Sequence, residues 1–176
     1  MTRIIDLKEI HMKKYVAIAG LAVALVWSAA SGADVWGGAD LGLAGGALSN
    51  TVPLGVYLGA SSSRFPLGGE LSYQFLSLNP AREGLFTATA IYRHPIPDTQ
   101  NLDFLARGGL AYIHGAHNGY VSSSTRPVIG AGISYRIRPQ VSLRAEYDLI
   151  IGAATHTGPL VNGSELLGGV TYHFAR

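Results

Sequence analysis

The sequence contains no cysteine and, beyond residue 33, no lysine. Without cysteine there is no disulfide framework and no thiolate chemistry. The chain has 13 Lys and Arg residues, four of them in residues 1–33, and 11 Asp and Glu residues, two of them in the same segment. Beyond residue 33 there remain nine basic and nine acidic residues (13 − 4 and 11 − 2). The pI of about 9.0 therefore comes largely from the first 33 residues. Balanced charge in the rest gives no reason to expect a nucleic-acid partner.

The chain also lacks an apolar run long enough for a spanning helix. The longest candidate, Tyr15–Trp27, falls short of the ~20 residues required. It follows the basic Met12–Lys14 and precedes the small residues Ser31–Ala33, an order typical of a secretory signal peptide. We expect residues 1–33 to be an N-terminal extension and signal peptide cleaved after Ala33, with one domain over 34–176. A signal-anchor helix is the alternative.

After Ala33 no window keeps a 3.6-residue period, so no helix is predicted. What the chain does contain is alternation with period two, in which one parity is apolar and the other polar or glycine. In Ile129–Ile137, for example, the odd positions are Ile, Ala or Tyr and the even positions are Gly, Ser or Arg. Eight such strands are predicted: Val35–Leu43, Val52–Ala60, Phe65–Leu76, Leu85–Arg93 (ended by Pro95 and Pro97), Leu102–Ile113, Ile129–Ile137, Val141–Leu149 and Leu166–Phe174.

With both chain ends on one side of the sheet, short and long connections should alternate. The connections Ser61–Arg64, Pro95–Asn101 and Arg138–Pro139 would lie on the side of the chain ends. The opposite side would carry Gly45–Thr51, Ser77–Gly84, His114–Thr125 and Gly152–Gly163, of which the last two are the longest in the chain. Strands of this length suit a tilted membrane crossing, and lipid requires closure because it cannot pair an open sheet edge. The even number fits a bacterial single-chain barrel. We therefore predict an all-β, eight-stranded antiparallel up-and-down transmembrane β-barrel with both ends in the periplasm.

Two segments carry a family resemblance. GAGISYRIRPQVSLRAEYD, followed by a loop and GGVTYHF, resembles the last three strands of small outer-membrane β-barrels of Gram-negative bacteria, the opacity-protein and outer-membrane-protein-X-like group. The resemblance implies a cell outer-membrane location and a monomer. It also implies contact with outer-membrane lipid and lipopolysaccharide, with the barrel assembly machinery and with periplasmic chaperones. That family includes adhesins, so host surface factors become expected partners of the extracellular loops.

The orientation of the faces has two solutions. In a membrane barrel the apolar face meets lipid, and aromatic residues near the strand ends form interfacial girdles. In a soluble, lipocalin-like barrel the same face would form an apolar core. The absence of lysine and the Gly- and Ser-rich polar face favour the membrane barrel. The predicted interfacial aromatics are Phe65, Phe75, Phe86, Tyr92, Tyr112, Tyr135, Tyr147, Tyr172 and Phe174.

The polar face carries charges of both signs, which the membrane barrel would place in its lumen. An eight-stranded barrel has an interior just wide enough for side chains, so buried charges must pair. We expect an Arg–carboxylate network centred on Glu70, Arg107, Arg136, Arg144 and Glu146. It either plugs the barrel or lines a narrow passive pore for small polar solutes. The predicted lumen charges are Asp40, Glu70, Arg93, Arg107, Arg136, Arg144, Glu146, Asp148 and Glu165.

No residue pattern indicates catalysis, a metal or a cofactor. Lipid A-modifying barrels of this kind carry His-x-Ser on the penultimate strand, where this chain has Glu146-Tyr147-Asp148. Ser164 and His173 lie nine residues apart on one extended strand, out of contact. His114, His117 and His156 do not have zinc spacing. We therefore expect a non-enzymatic outer-membrane protein with a structural role in envelope integrity or a surface role in adhesion.

Overall fold

The computed structural model describes residues 34–46, 48, 52–62, 66–77, 82–117, 120–153 and 161–175. The predicted signal peptide and its cleavage site lie outside these ranges. Within them no helix is long and apolar enough to cross a membrane. The described segments form eight strands: β1 Asp34–Gly46, β2 Val52–Ser61, β3 Leu67–Ser77, β4 Arg82–Pro95, β5 Leu102–His117, β6 Tyr120–Arg138, β7 Val141–Ala153 and β8 Val161–Ala175.

Each strand pairs antiparallel with the next, and β8 returns to pair with β1, so the sheet closes. Following paired residues once around the barrel from Val35 leads back to Gly45, a displacement of ten residues along β1 (45 − 35). With a strand spacing of about 4.8 Å and a rise of about 3.3 Å per residue, this stagger tilts the strands by roughly 40°. The predicted eight-stranded antiparallel up-and-down barrel is confirmed.

The two ends of the barrel differ. The terminal rim is the end that carries Asp34, Ala175 and the connections β2–β3, β4–β5 and β6–β7; the loop rim is the opposite end. The β6–β7 turn has two residues, Pro139 and Gln140, and the Gln140 carbonyl accepts a hydrogen bond from the His173 backbone at 2.9 Å. In the β4–β5 connection the Thr99 hydroxyl donates to the Ile96 carbonyl at 2.7 Å. Hydrogen bonds therefore hold two of the connections at the terminal rim in place.

At the loop rim the sequence interpretation was wrong in its strand limits. The predicted loop His114–Thr125 is a β-hairpin, because β5 continues to His117 and β6 begins at Tyr120, its partner. The predicted loop Gly152–Gly163 also shortens, since β7 ends at Ala153 and β8 begins at Val161. Beyond the barrel body both faces of a strand meet water, so a paired strand there has no reason to alternate in polarity. The period-two signal stops earlier than the backbone pairing does.

Pro95 corrects a second boundary. The predicted fourth strand ends at Arg93, before Pro95, because proline cannot donate to a ladder. In the structure β4 includes Pro95 as its last residue, opposite Asp103 of β5. A terminal strand position tolerates proline because its missing donor can face away from the ladder. Proline still marks the strand end, two residues later than predicted (95 − 93).

Along each strand, successive side chains point in turn to an apolar exterior and to a polar lumen. Leu43 and Phe75 are 66% and 62% exposed, whereas the charged Glu70 is 2% exposed. On β4, where periodicity alone was ambiguous, Phe86 and Tyr92 point outward and Thr87 is buried, which confirms the predicted parity. The distribution is the reverse of a soluble domain, in which large apolar side chains are buried and charges meet water.

Glycines make room for the large lumen side chains. Trp36 lies opposite Gly59, and a Cβ at Gly59 would lie 2.4 Å from the Trp36 indole. Asp148 lies opposite Gly130, where an added Cβ would fall on the Asp148 carboxylate. In a lumen this narrow, one strand supplies a large side chain only where its neighbour supplies none. This explains the glycine-rich inward parity.

Candidate functional site: the charged lumen

At the centre of the lumen lies a charge cluster formed by Glu70, Arg107, Arg144 and Glu146. Arg144 donates to Glu70, with its Nη2 2.9 Å from Oε1, and its Nε also donates to Glu146. Arg107 donates from Nη1 to Glu146 Oε2 at 2.7 Å. Each of the four side chains is nearly inaccessible to solvent. The cluster therefore ties β3, β5 and β7 together across the barrel interior.

The cluster arises from the alternation of the strands. Arg144, Glu146 and Asp148 are successive even positions of β7 and point to the same face. Glu70 and Arg107 occupy inward positions of β3 and β5. The tilt of the strands brings the three elements to the same height, and inward side chains then meet across the axis of the barrel.

Neutral side chains complete the cluster as hydrogen-bond donors, acceptors and ring contacts. The Trp36 indole N–H donates to Glu70 Oε2 at 2.9 Å. Arg107 Nη2 donates to the hydroxyls of Thr87 and Thr89 at 3.3 and 3.4 Å. The Arg144 guanidinium also lies over the Tyr57 ring, 4.8 Å from its centroid. Buried charges that pair and form additional hydrogen bonds offset more of their desolvation cost.

Arg136 does not join this cluster, which corrects its predicted place at the centre. It lies near the terminal rim, where its Nη2 is 3.6 Å from Asp103 Oδ2. At the height of the cluster, the inward positions of β6 are Gly130 and Gly132, which pair with Asp148 and Glu146 of β7. Arg93 is also at the terminal rim, 3.2 Å from Asp34 and over the Trp36 ring at 4.8 Å.

An anionic layer follows on the loop side of the cluster, formed by Asp40, Asp148 and Glu165. Asp148 and Glu165 are paired across β7 and β8. Asp148 Oδ2 lies 3.3 Å from Arg107, whereas Asp40 and Glu165 have no ion-pair partner among the described residues. The end of the Gln74 side-chain amide lies 3.0 Å from both carboxyl oxygens of Glu165, where its nitrogen can donate to a carboxylate or its oxygen can accept from a carboxylic acid.

An apolar plug closes the lumen above the anionic layer. It consists of side chains that are at most 3% exposed: Leu48, Leu76, Leu85, Ala111, Val128 and Ile150. Five of them occupy inward positions of five different strands, and Leu48 comes from the connection after β1, with its N–H 3.2 Å from the Gly45 carbonyl. The side chains that point into the lumen are therefore polar at mid-height and apolar near the loop rim.

Sequence reasoning missed a hydrogen-bonded group at the seam between the first and last strands. His173 Nδ1 lies 2.9 Å from Asp34 Oδ1, and His173 Nε2 lies 3.3 Å from the Ser142 hydroxyl. His173 and Ser142 are almost fully buried. Asp34 and His173 are 139 residues apart in the chain, so only barrel closure brings them together.

Seven of the nine predicted interfacial aromatics lie in two belts on the barrel exterior. Tyr92, Tyr135, Tyr172 and Phe174 lie near the terminal rim, where Phe104 joins them. Toward the loop rim, Tyr73, Phe86 and Tyr112 are direct cross-strand neighbours, and Phe75 packs edge-on against Tyr73 with centroids 4.9 Å apart. Tyr147 lies at the middle of β7, and Phe65 is outside the described residues.

Of the three histidines considered for metal, His114, His117 and His156, only His114 has a side chain that the structure describes. His114 is exposed near the end of β5, and His156 lies outside the described ranges. No group of three or more His, Cys, Asp or Glu side chains among the described residues could hold a metal ion.

The fold and the lumen define the class of small, closed, eight-stranded β-barrels with an apolar exterior and a charged interior. No family model and no curated protein matches the sequence. Among solved structures, the chain is similar to Neisserial surface protein A, NspA, with 24% identity and a TM-score of 0.58 over 82% of this chain and 98% of that one.

Two further structures have the same fold. The N-terminal β-barrel domain of Pseudomonas aeruginosa OprF is 19% identical, with a TM-score of 0.61, over 80% of this chain and 97% of that one. A major outer membrane protein from Thermus thermophilus is 14% identical, with a TM-score of 0.58, over 81% and 99%. At these identities the likeness establishes the fold.

Proposed function

We propose that this chain is an integral outer-membrane protein with a structural role in the envelope. The observation that carries the proposal is its reversed polarity, with large apolar side chains outside a closed barrel and charges sealed inside. A strand of 11 residues such as β3, tilted by roughly 40°, rises roughly 27 Å, which suits the apolar thickness that a transmembrane barrel presents. The two aromatic belts support the same placement.

The filled lumen favours a structural role over a pore. The charge cluster spans the interior, and the apolar plug covers it on the loop side. A conducting path would have to break several buried ion pairs or remove the plug, either of which is costly. The lumen contacts thus act as internal cross-links that fix strand register.

A conductance measurement tests this role. Purified protein inserted into planar lipid bilayers should produce no steady current steps at moderate voltage. The matched measurement is the Arg107→Ala variant, which removes a cluster member without touching the exterior. Steady steps in the wild type, altered in size by Arg107→Ala, would contradict the structural role and establish a narrow pore.

A surface role is a second candidate, and the β5–β6 hairpin favours it. β6 pairs with β7 only from Val128 onward, while β5 and β6 remain paired out to His117 and Tyr120. The hairpin therefore extends beyond the last β6–β7 pair. Deletion of 115–124 should leave the barrel folded and abolish binding to host surface factors if the protein is an adhesin. Unchanged adhesion of cells after the deletion would remove this candidate.

The proposal includes the expected environment of such a protein. Its partners would be outer-membrane lipid and lipopolysaccharide on the exterior, and periplasmic chaperones and the barrel assembly machinery during insertion. It would work as a monomer, since closure of the sheet leaves no strand edge in the barrel body for pairing between copies.

We propose no enzymatic activity. The Ser142–His173–Asp34 group has the connectivity of a nucleophile, base and orienting acid. However, Ser142 and His173 are 2% and 3% exposed, and the neighbouring strand backbones are paired in the sheet. A hydrolase needs substrate access and free donors for an oxyanion. These contacts favour a clasp that holds β1, β7 and β8 together at the seam of the barrel.

A further inference from the structure

The central lumen contains more negative than positive charge. Five carboxylates, Asp40, Glu70, Glu146, Asp148 and Glu165, are buried there with two guanidiniums, Arg107 and Arg144. If every group were ionised, the central lumen would carry three uncompensated negative charges (5 − 2). An isolated buried carboxylate costs several kcal/mol or more, so a surplus of this size requires a compensating positive charge.

The contacts locate the surplus. Glu70 and Glu146 each accept hydrogen bonds from a guanidinium, and Asp148 lies 3.3 Å from Arg107. Asp40 and Glu165 are 8% and 1% exposed and have no cationic partner among the described residues. Buried oxygens of Asp40 and Asp148, the Oδ1 atom in each case, also have no hydrogen-bond partner among these residues. The deficit therefore falls in the anionic layer.

The groups that face this layer from the other strands do not supply the missing charge. They are Tyr57 of β2, Gln74 of β3, Thr87 and Thr89 of β4, and Gly130 of β6, all neutral, and the paired charges of β3, β5 and β7 already described. The inward cation Arg126 of β6 lies farther toward the loop rim, opposite Ala111 of the apolar plug and beside Gly152. Apolar side chains cover the layer on the loop side. No cluster of described side chains has the arrangement of a metal site. The remaining small cation is the proton.

We propose that the folded barrel binds protons at Asp40 and Glu165, so that both side chains are neutral carboxylic acids in the lumen. With these two protons bound, three carboxylates and two guanidiniums remain, which reduces the surplus from three negative charges to one (3 − 2). The Trp36 indole N–H donates to Glu70, one of the three ionised carboxylates. The proton on Glu165 also relieves its repulsion with Asp148, its partner across β7 and β8. The site is thus a proton-binding layer that forms only when the barrel closes.

The proposal predicts how stability changes with pH. Once pH rises above the range in which exposed carboxylic acids titrate, the unfolded chain has released both protons, whereas the folded barrel still holds them and releases them only at higher pH. Stability therefore falls as pH rises, and the unfolding equilibrium constant increases about tenfold per pH unit for each proton retained, or about a hundredfold for two. The other titrating groups contribute equally to the pH dependence of stability in the wild type and in a variant that lacks only Asp40 and Glu165. The difference in slope between the two proteins therefore measures the contribution of these two acids.

The experiment compares unfolding by urea in lipid vesicles from about pH 4 to 9 for the wild type, the Asp40→Asn/Glu165→Gln variant and the control Asp98→Asn. Asp98 lies exposed in the β4–β5 turn, where its φ of 63° is one that Asn also adopts. The wild type and Asp98→Asn should lose stability with rising pH, and the double variant should lose markedly less. Equal slopes in all three proteins would overturn the proposal.

A direct readout covers the case in which the double variant does not fold. The infrared spectrum of the folded wild type at neutral pH should contain the C=O stretch of a carboxylic acid, which an ionised carboxylate lacks. The single variants Asp40→Asn and Glu165→Gln should each weaken it. Its absence would contradict proton binding. A wild-type stability that follows added Na⁺ or Ca²⁺ at fixed pH, with no infrared acid band, would assign the compensating charge to a metal cation instead.

Discussion

Arg144 is the residue on which the lumen contacts depend most. Its guanidinium bonds to both Glu70 and Glu146, so its removal leaves two buried carboxylates short of a partner. We expect Arg144→Met to destabilise the barrel by about 3–5 kcal/mol. The same change at the exposed Arg138 should stay within about 0.5 kcal/mol. Urea unfolding in vesicles measures both, and equal effects would show that the buried pairs contribute little.

Gly59 tests the space requirement of the lumen. A Cβ there would lie 2.4 Å from the packed Trp36 indole, so Gly59→Ala should cost about 1–3 kcal/mol through displacement of Trp36. Gly69 is the matched control, because an added Cβ there meets nothing within 4 Å. A Gly69→Ala variant as unstable as Gly59→Ala would mean that backbone effects, and not contact with Trp36, decide the outcome.

Individual residues also show which features of the lumen could be predicted from the sequence. The alternation of side chains along each strand predicted that Glu70, Arg107 and Glu146 point inward, because this alternation does not depend on tertiary structure. It could not place Arg136, since the height of a residue in the barrel depends on the stagger between strands. That stagger is set by closure, and Arg136 consequently meets Asp103 at the terminal rim. Inward direction was predictable, and the identity of the partner was not.

At the scale of elements, β6 allows a test of the membrane depth. Ala131 and Ile137 are both exposed on its outer face, and Ala131 lies four residues, roughly 10 Å of height at this tilt, from Tyr135 of the terminal belt. Arginine should cost about 2–4 kcal/mol near the midplane at Ala131 and about 0–1 kcal/mol near the rim at Ile137. The ratio of folded to unfolded protein in vesicles measures this. A soluble barrel would tolerate both substitutions equally.

The β5–β6 hairpin illustrates what an element's sequence leaves open. The segment from His114 to Thr125 is polar and Ser-rich, and such composition usually indicates a loop. Backbone pairing between β5 and β6 nevertheless continues through it. Polarity alternates only where a strand separates two environments, so a strand surrounded by water gives no such signal. The strands of the barrel body were predictable for this reason, and their extensions were not.

At the scale of the whole molecule, closure creates contacts that no local pattern contains. The Asp34–His173 hydrogen bond joins the first and last strands, and the charge cluster joins three strands that are not neighbours in the sheet. The class of fold followed from strand number, length and alternation. The seam clasp, the anionic layer and the apolar plug depend on the stagger of ten residues, which the sequence pattern does not specify.

The central claim is a closed barrel in the outer membrane, and heat modifiability tests it most directly. The outer-membrane fraction is run on a denaturing gel with and without boiling. A closed barrel keeps its backbone hydrogen bonds in detergent, so the unboiled protein should migrate faster than the boiled one. An identical migration of both samples, with the protein recovered from the soluble periplasm, would contradict the account and favour a soluble barrel with its faces reversed.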